Sequence, residues 1–256
     1  MDRRADEPGL WLRRFVAAPE APAQLVCFPH AGGSAGSYRA LSAALRPTAE
    51  VLAVQYPGRQ DRWAEECVDS IPELVDRLLP ALTARADGRP LALFGHSMGA
   101  TLAFEVARRL EERGETRGPV ALFLSGRRAP HFERDGSIHL RDDPGLLREV
   151  RLLDPSTAAV LEDPELRRMV LPALRGDYRA VETYVYVPGP PLRCPVVALT
   201  GDADPLVSVE EVEGWRTYTR GPFATHVFTG GHFYLNDHPE ALHSAIRDRL
   251  RPLPVA

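Results

Sequence analysis

Leu91-Ala92-Leu93-Phe94-Gly95-His96-Ser97-Met98-Gly99-Ala100 is the stretch on which the reading of this chain turns. The apolar run Leu91 to Phe94 ends in a glycine-flanked serine and gives way to a helical pattern from Ala100 to Leu110. That is strand, sharp turn and helix, with a hydroxyl at the apex. In this setting G-x-S-x-G reads as a nucleophile elbow: the glycines permit a strained turn and remove side chains where strand and helix crowd. Taken alone, the same five residues also fit an ordinary strand-to-helix loop.

The order of the remaining motifs decides between the two. A hydrolase built on such an elbow needs Ser, then Asp or Glu, then His along the chain. The apolar strand Pro195 to Leu199 runs into Thr200-Gly201-Asp202-Ala203-Asp204-Pro205, and Thr225 to Phe228 runs into Gly230-Gly231-His232. Both candidate partners sit just past strand ends, the edge of a parallel sheet where sites are built.

Working outward, strand-like runs recur at 24–28, 51–54, 91–94, 120–124, 196–200 and 226–228, and helical patterns at 37–45, 70–84, 100–113, 209–219 and 239–250. This alternation predicts an α/β fold with a mostly parallel sheet covered on both faces. An earlier strand, Leu10 to Phe15, is expected to join antiparallel at one edge. From about Ala129 to Tyr186 the alternation stops. Asp143-Pro144 and Asp163-Pro164 there read as N-caps followed by proline at the first helical position. Residues 1–128 and 187–256 are therefore assigned to the core, and 129–186 to an inserted helical lid above Ser97, although a helical insertion that packs to one side and never covers the serine fits the same signals.

Composition removes several classes of function. A net charge of −4 and a pI near 6.1 disfavour a nucleic-acid binder that works by neutralising phosphates. Cys27, Cys67 and Cys194 are odd in number and widely spaced, so neither a disulfide framework nor a zinc site is indicated. Cys27 and Cys194 read instead as small buried residues at strands. The first residues, Met1-Asp2-Arg3-Arg4-Ala5-Asp6-Glu7, are charged and no apolar run reaches membrane length, so the expected location is the cytoplasm, with no membrane partner. No glycine-rich phosphate loop of the G-K-[ST] or G-x-G-x-x-G kind is present.

Ser97 is the candidate nucleophile and needs an adjacent base. Of eight histidines, His232 alone follows both the elbow and a candidate acid at a strand end; the others are expected in surface or structural roles. Asp204 is preferred over Asp202 as the acid, because it lies three residues past Gly201 in a G-x-x-D turn, leaving Asp202 to cap that turn. The first oxyanion donor is the backbone N–H of Met98, the residue after the nucleophile. Ala31, in the glycine-rich loop Phe28-Pro29-His30-Ala31-Gly32-Gly33 after the first core strand, is the second by position.

With these residues in view the chain resembles the stand-alone type II thioesterases that accompany polyketide and nonribosomal peptide synthases. The resemblance covers nearly the whole chain. It rests on Phe28-Pro29-His30-Ala31-Gly32-Gly33, Tyr56-Pro57-Gly58-Arg59 with Arg62, Gly95 to Ala100, Ser125-Gly126-Arg127, Leu171 to Tyr178 through Glu182-Thr183-Tyr184, and Gly230 to Leu235. It implies an α/β-hydrolase fold with a helical lid, Ser97, Asp204 and His232 as triad, and Ala31 and Met98 as oxyanion donors. It further implies hydrolysis of acyl groups, short chains included, from the phosphopantetheine arm of acyl or peptidyl carrier proteins. That arm belongs to the substrate, so no cofactor is expected.

Carrier proteins of this kind are commonly acidic, which makes Arg59, Arg62, Arg127 and Arg128 candidates for a docking rim. Leu166, Met169, Val170 and Leu174 are candidates for the acyl channel, although their spacing equally describes helix packing. Three other functions share parts of the pattern. A malonyl-type acyltransferase also uses G-H-S-x-G, but lacks a triad acid and typically carries glutamate where Ala100 stands. A carboxylesterase would need the same triad, and a non-catalytic carrier-binding protein would not need it at all.

Overall fold

A computed structural model of the chain describes residues 8–114, 118–132, 136–154, 157, 159 and 161–251. The charged stretch Met1 to Glu7 lies outside the described residues. Seven strands form one sheet: β1 (Leu12–Arg13), β2 (Ala23–Phe28), β3 (Ala49–Val54), β4 (Leu91–His96), β5 (Ala121–Ser125), β6 (Val196–Gly201) and β7 (Phe223–Phe228), in the order β1-β3-β2-β4-β5-β6-β7. All neighbours are parallel except β1, which pairs antiparallel with β3. The antiparallel edge strand is present but shorter than expected, since Pro8–Trp11 is a turn of helix, α1.

Strands β2, β3, β5 and β6 are buried along their whole length, as near-continuous apolar runs require when helices cover both faces. Alternate residues go to opposite faces. Val26, Phe28, Leu93, Leu122 and Ala198 pack on one side with α3 (Ile71–Arg85) and α4 (Met98–Arg113). Leu25, Cys27, Phe94, Phe123 and Leu199 pack on the other with Leu41 of α2 (Arg39–Ala44) and Leu242 and Ile246 of the last helix, Pro239–Leu250.

Helix α3 shows how local sequence sets an element. Ser70 accepts the Glu73 N–H as N-cap, Pro72 sits in the first turn, and Ile71, Leu74, Val75, Leu78, Leu79 and Leu82 recur at helical spacing and are buried. Each such side chain contributes roughly 1.5–3 kcal/mol of burial. Two predicted helices are broken: 37–45 begins with a 3-10 turn at Ala35–Tyr38, and 209–219 divides into Val209–Glu213 and a 3-10 segment Gly214–Tyr218.

Between β5 and β6 lie a 3-10 turn, Ile138–Leu140, and two longer helices, α5 (Asp143–Leu153) and α6 (Pro164–Glu182). The cap of α6 is Asp163, as read from the sequence, but α5 is capped by Asp142, whose side chain accepts the Gly145 N–H, while Asp143 is already helical. Leu146, Val150, Leu161, Leu171, Leu174 and Tyr178 give this region a small apolar core of its own. Among the described residues no helix is long and apolar enough to cross a membrane.

Candidate active site

The chain reverses its direction of travel through the sheet between β2 and β4, and a crevice opens beyond their carboxyl ends. Ser97 follows β4 at that point. Its φ of 56° and ψ of −117° are a strained combination for a residue with a Cβ, costing on the order of 1–3 kcal/mol. The flanking glycines show why the turn needs them. A Cβ on Gly95 would lie 2.0 Å from the Gly99 carbonyl oxygen, and one on Gly99 would lie 2.0 Å from that of Phe28. The helix thus starts hard against the ends of β2 and β4, and the serine is lifted out of the sheet edge.

The loops after β6 and β7 press together in the same way, with a Gly201 Cβ falling 2.3 Å from the Gly230 carbonyl oxygen. This contact brings Asp204 to His232. His232 Nδ1 and Asp204 Oδ2 are 2.8 Å apart, with both side chains buried. The other Asp204 oxygen accepts the Leu206 N–H at 2.8 Å, so the carboxylate is fixed from two sides. Asp202 is exposed and accepts the Gly230 N–H at 2.9 Å, the turn-capping role expected of it. Ser97 and His232 line one cavity of about 460 Å³, together with Ala31 and Phe233.

The loop from Phe28 to Ala35 is held by several independent bonds. Tyr38 and Tyr56 hydroxyls donate to the Phe28 and Pro29 carbonyls, and the Gln55 side chain accepts the Ala35 N–H. Asp177 of α6 accepts the Gly32 N–H at 2.7 Å. Among the described residues the Ala31 N–H donates to no protein acceptor, and Met98, as the first residue of α4, has no acceptor within the helix for its own.

Arg59 and Arg62 are not on a rim, contrary to expectation. Arg59 is 8% exposed and forms a two-pronged pair with Asp177, at 2.5 and 2.8 Å. Arg62 is 2% exposed, donates to the Gln55 carbonyl and the Glu65 carboxylate, and lies over the Trp11 ring. Both hold the loop after β3 against the core. Arg127 and Arg128 are half-buried and line the cavity.

Other residues of the site carry signals too general to single out. His30 and His96 flank His232, with the His96 and His232 ring centroids 4.8 Å apart and Phe233 against all three rings. His96 Nδ1 meets Ser125 Oγ at 2.9 Å, and that oxygen meets the Tyr234 hydroxyl at 2.6 Å. Burial, the neighbouring His232 and Arg59 hold the His30 pKa down to about 4, against a weaker pull from Asp154. Burial, His232 and His30 lower that of His96 well below the usual histidine range. Two uncharged imidazoles thus border His232. Gly126, at φ 59°, passes beside them; a Cβ there would lie 2.7 Å from His96 Cε1 and 3.3 Å from His232 Cε1.

A second cavity of about 370 Å³ shares His30, Ala31, Tyr178 and Phe233 with the first and extends to Val150 of α5 and Leu174 of α6. Val170 and Leu174 line it, as expected of an acyl channel, but Leu166 and Met169 are 41% and 62% exposed and do not. The helical period puts them on the outer face of α6.

A family model described as Thioesterase domain matches residues 23–250. The chain is 50% identical over 247 residues to the probable cadicidin biosynthesis thioesterase of Streptomyces griseus, covering 96% of this chain and 68% of that one. Thioesterase PikA5 of Streptomyces venezuelae is 49% identical over 244 residues, covering 95% and 86%. The solved structure of the type II thioesterase BorB from the borrelidin biosynthetic cluster superposes with a TM-score of 0.88 at 53% identity, over 94% of this chain and 98% of that one.

Proposed function

Because the chain belongs to the thioesterase family, carries its α/β-hydrolase fold and hydrolyses thioesters, we propose that its substrates are acyl groups on the phosphopantetheine arm of acyl or peptidyl carrier proteins. On this reading it is a type II thioesterase that clears stalled or wrongly loaded units from a polyketide or nonribosomal peptide synthase in the cytoplasm. The observation that carries the proposal is the buried His232–Asp204 bond at 2.8 Å beside a half-buried Ser97 in one cavity. Its likeness to a probable cadicidin biosynthesis thioesterase and to the type II thioesterase BorB of the borrelidin biosynthetic cluster supports this reading.

The chemistry follows from the tautomer that the bond selects. With Nδ1–H donated to Asp204, His232 Nε2 carries the lone pair that accepts the Ser97 proton. Ser97 Oγ bonds to the thioester carbonyl carbon, and the oxyanion that forms is received by the Ala31 and Met98 N–H groups. The C–S bond then breaks, and the imidazolium returns its proton to the departing thiolate. Water repeats the sequence on the acyl-serine: its proton goes to Nε2, its oxygen to the carbonyl carbon, and Ser97 reclaims a proton as the acid leaves. Asp204 stabilises the imidazolium without itself becoming protonated. No cofactor enters any step.

The test is intact-protein mass spectrometry of an acetyl- or propionyl-loaded carrier protein incubated with the wild type and with Ser97→Ala. Loss of the acyl mass with the wild type alone is expected. Retention of the acyl mass with both proteins would turn the assignment toward oxygen esters, and its reappearance on an unloaded second carrier toward acyl transfer.

A further inference from the structure

Arg127 stands two residues past the end of β5, close to the nucleophile through the sheet. Ser125 is the register partner of His96, and its carbonyl accepts the Ser97 N–H at 2.8 Å. The backbone around Arg127 is fixed on both sides. The Gly126 N–H donates to the Leu199 carbonyl at 2.9 Å, and the Arg127 carbonyl accepts the Trp215 indole N–H at 2.7 Å. Its side chain is half-buried in the wall of the cavity that holds Ser97 and His232.

Among the described residues its guanidinium has no hydrogen-bond or ion-pair partner. The acceptors in its surroundings are used elsewhere. Glu182, in the same wall, accepts from the Ile138 and His139 backbone N–H groups at 3.0 Å each and meets His139 Nδ1 at 2.6 Å. The Tyr184 hydroxyl is engaged with Glu105. Burial, and behind it the neighbouring Arg128, push the Arg127 pKa down to about 10, against weaker pulls from Tyr184 and Glu182, so it still carries its charge at neutral pH. The contrast with Arg59 is instructive, since that cation is matched by Asp177 on two prongs. An arginine presents five donors and cannot shed its charge, and holding it unmatched in a partly desolvated wall costs stability. Such a group is free to receive an acceptor that a ligand brings into the cavity.

We propose that Arg127 is a substrate-binding residue that receives an oxygen acceptor of the thioester, carboxylate or carbonyl, several bonds from the reacting centre. The ligand's identity as a thioester rests on the function proposed above; the site itself rests on the unmatched guanidinium. Two parts of the substrate carry suitable oxygens: a carboxyl or oxo group on the acyl chain, and the amide carbonyls of the pantetheine arm. Guanidinium contacts to a carboxylate are shorter and stronger than neutral ones, so the two sources leave different signatures.

The experiment uses four thioesters, propionyl and malonyl on either pantetheine or ethanethiol, and reads their binding by calorimetry. The protein carries Ser97→Ala, so that nothing turns over, with Arg127 intact or changed by Arg127→Met. Loss of affinity by about tenfold or more is expected. A loss that follows malonyl on both thiols assigns the acyl chain as the source; a loss that follows pantetheine with both acyl groups assigns the arm. Changes under about threefold for all four compounds, or no binding of any of them while Arg127 is intact, overturn the proposal. Labelling of wild-type Ser97 by a fluorophosphonate tests the nucleophile separately, so the failure of one reading is not mistaken for failure of the other. Arg127→Met should also melt no lower than the wild type, because it removes an unmatched charge and keeps the apolar stem. A markedly lower midpoint would assign the side chain to holding the fold and would overturn a ligand role.

Discussion

Asp177 and Gly32 are joined by a 2.7 Å hydrogen bond from the Gly32 N–H to a carboxylate on the long lid helix. Gly32 adjoins Ala31, whose N–H is proposed to receive the oxyanion. The same carboxylate is clamped by Arg59, and at 1% exposure it is among the most deeply buried charges described. Helix α6 and the loop after β2 are therefore tied together at this point.

The first prediction concerns that pair. Asp177→Ala leaves Arg59 buried without a counter-charge and should cost about 3–5 kcal/mol of stability. The Gly32 N–H also loses its acceptor, so kcat should fall by more than KM rises, toward the range of about 100-fold seen when an oxyanion donor is displaced. Changing both partners to apolar residues, Arg59→Met with Asp177→Leu, should restore much of the stability and none of the kcat. Joint recovery in denaturant and kinetic measurements would show that the pair serves the fold alone.

Ser97 sits where glycine is preferred. Ser97→Gly should raise stability by about 1 kcal/mol by relieving the strain at φ 56°, while acyl release falls to background. Thermal melts and single-turnover assays on the same preparations check both halves; a lower melting temperature would refute the strain argument.

Gly126 leaves room for two packed imidazoles by having no side chain. Gly126→Ala forces a Cβ to within 2.7 Å of His96 Cε1 and 3.3 Å of His232 Cε1 in a left-handed conformation. We expect about 1–2 kcal/mol of destabilisation from the backbone and a larger loss of kcat from the displaced base. Unchanged kinetics would mean that His96 yields alone.

His30 and His96 are kept uncharged by the fold, so stability should depend on pH in a defined direction. Their folded pKa values are lowered, to about 4 for His30, and the unfolded chain titrates near the ordinary histidine value of about 6.5. Between those limits the unfolded state binds more protons, and unfolding becomes harder as pH rises. The contribution is complete above about pH 7 and is lost as pH falls toward the folded value. Urea midpoints should climb from about pH 5 to about pH 7, and the climb should flatten in the double variant His30→Gln with His96→Gln. An equal slope in wild type and variant would assign the dependence to other groups.

The sheet, the elbow and the acid–base turn are legible in the sequence because each is written locally. Strands β4 and β6 are short apolar runs ended by glycine, and the clashes at Gly95, Gly99 and Gly201 give those glycines physical reasons. Asp204 could be told from Asp202 by its distance from Gly201, and it is Asp204 that meets His232 while Asp202 accepts the Gly230 N–H. The arginines were not legible. Charged residues after a strand end are usually solvated, and the partner that draws Arg59 inward is 118 residues away. Nothing near Tyr56-Pro57-Gly58 announces it. The cap of α5 was misplaced by one residue because Asp142 and Asp143 both satisfy the preference for aspartate before proline, and only the backbone geometry separates them. His30 and His96 lie inside motifs whose local signal is carried by glycines and a serine, and their packing on His232 depends on three loops meeting.

The Asp177–Arg59 contact also bears on how this architecture can diversify. The proposed catalytic groups follow strands of one sheet, so an exchanged lid would leave them standing and offer a ready way to change the acyl chamber. But Asp177 lies on α6, in the segment proposed as the lid, and Arg59 follows β3, and each is stranded as a buried charge without the other. The two halves are keyed. A transplanted lid lacking an acid at that place would arrive incompatible, and lineages that trade lids must inherit, or replace together, both members of the pair.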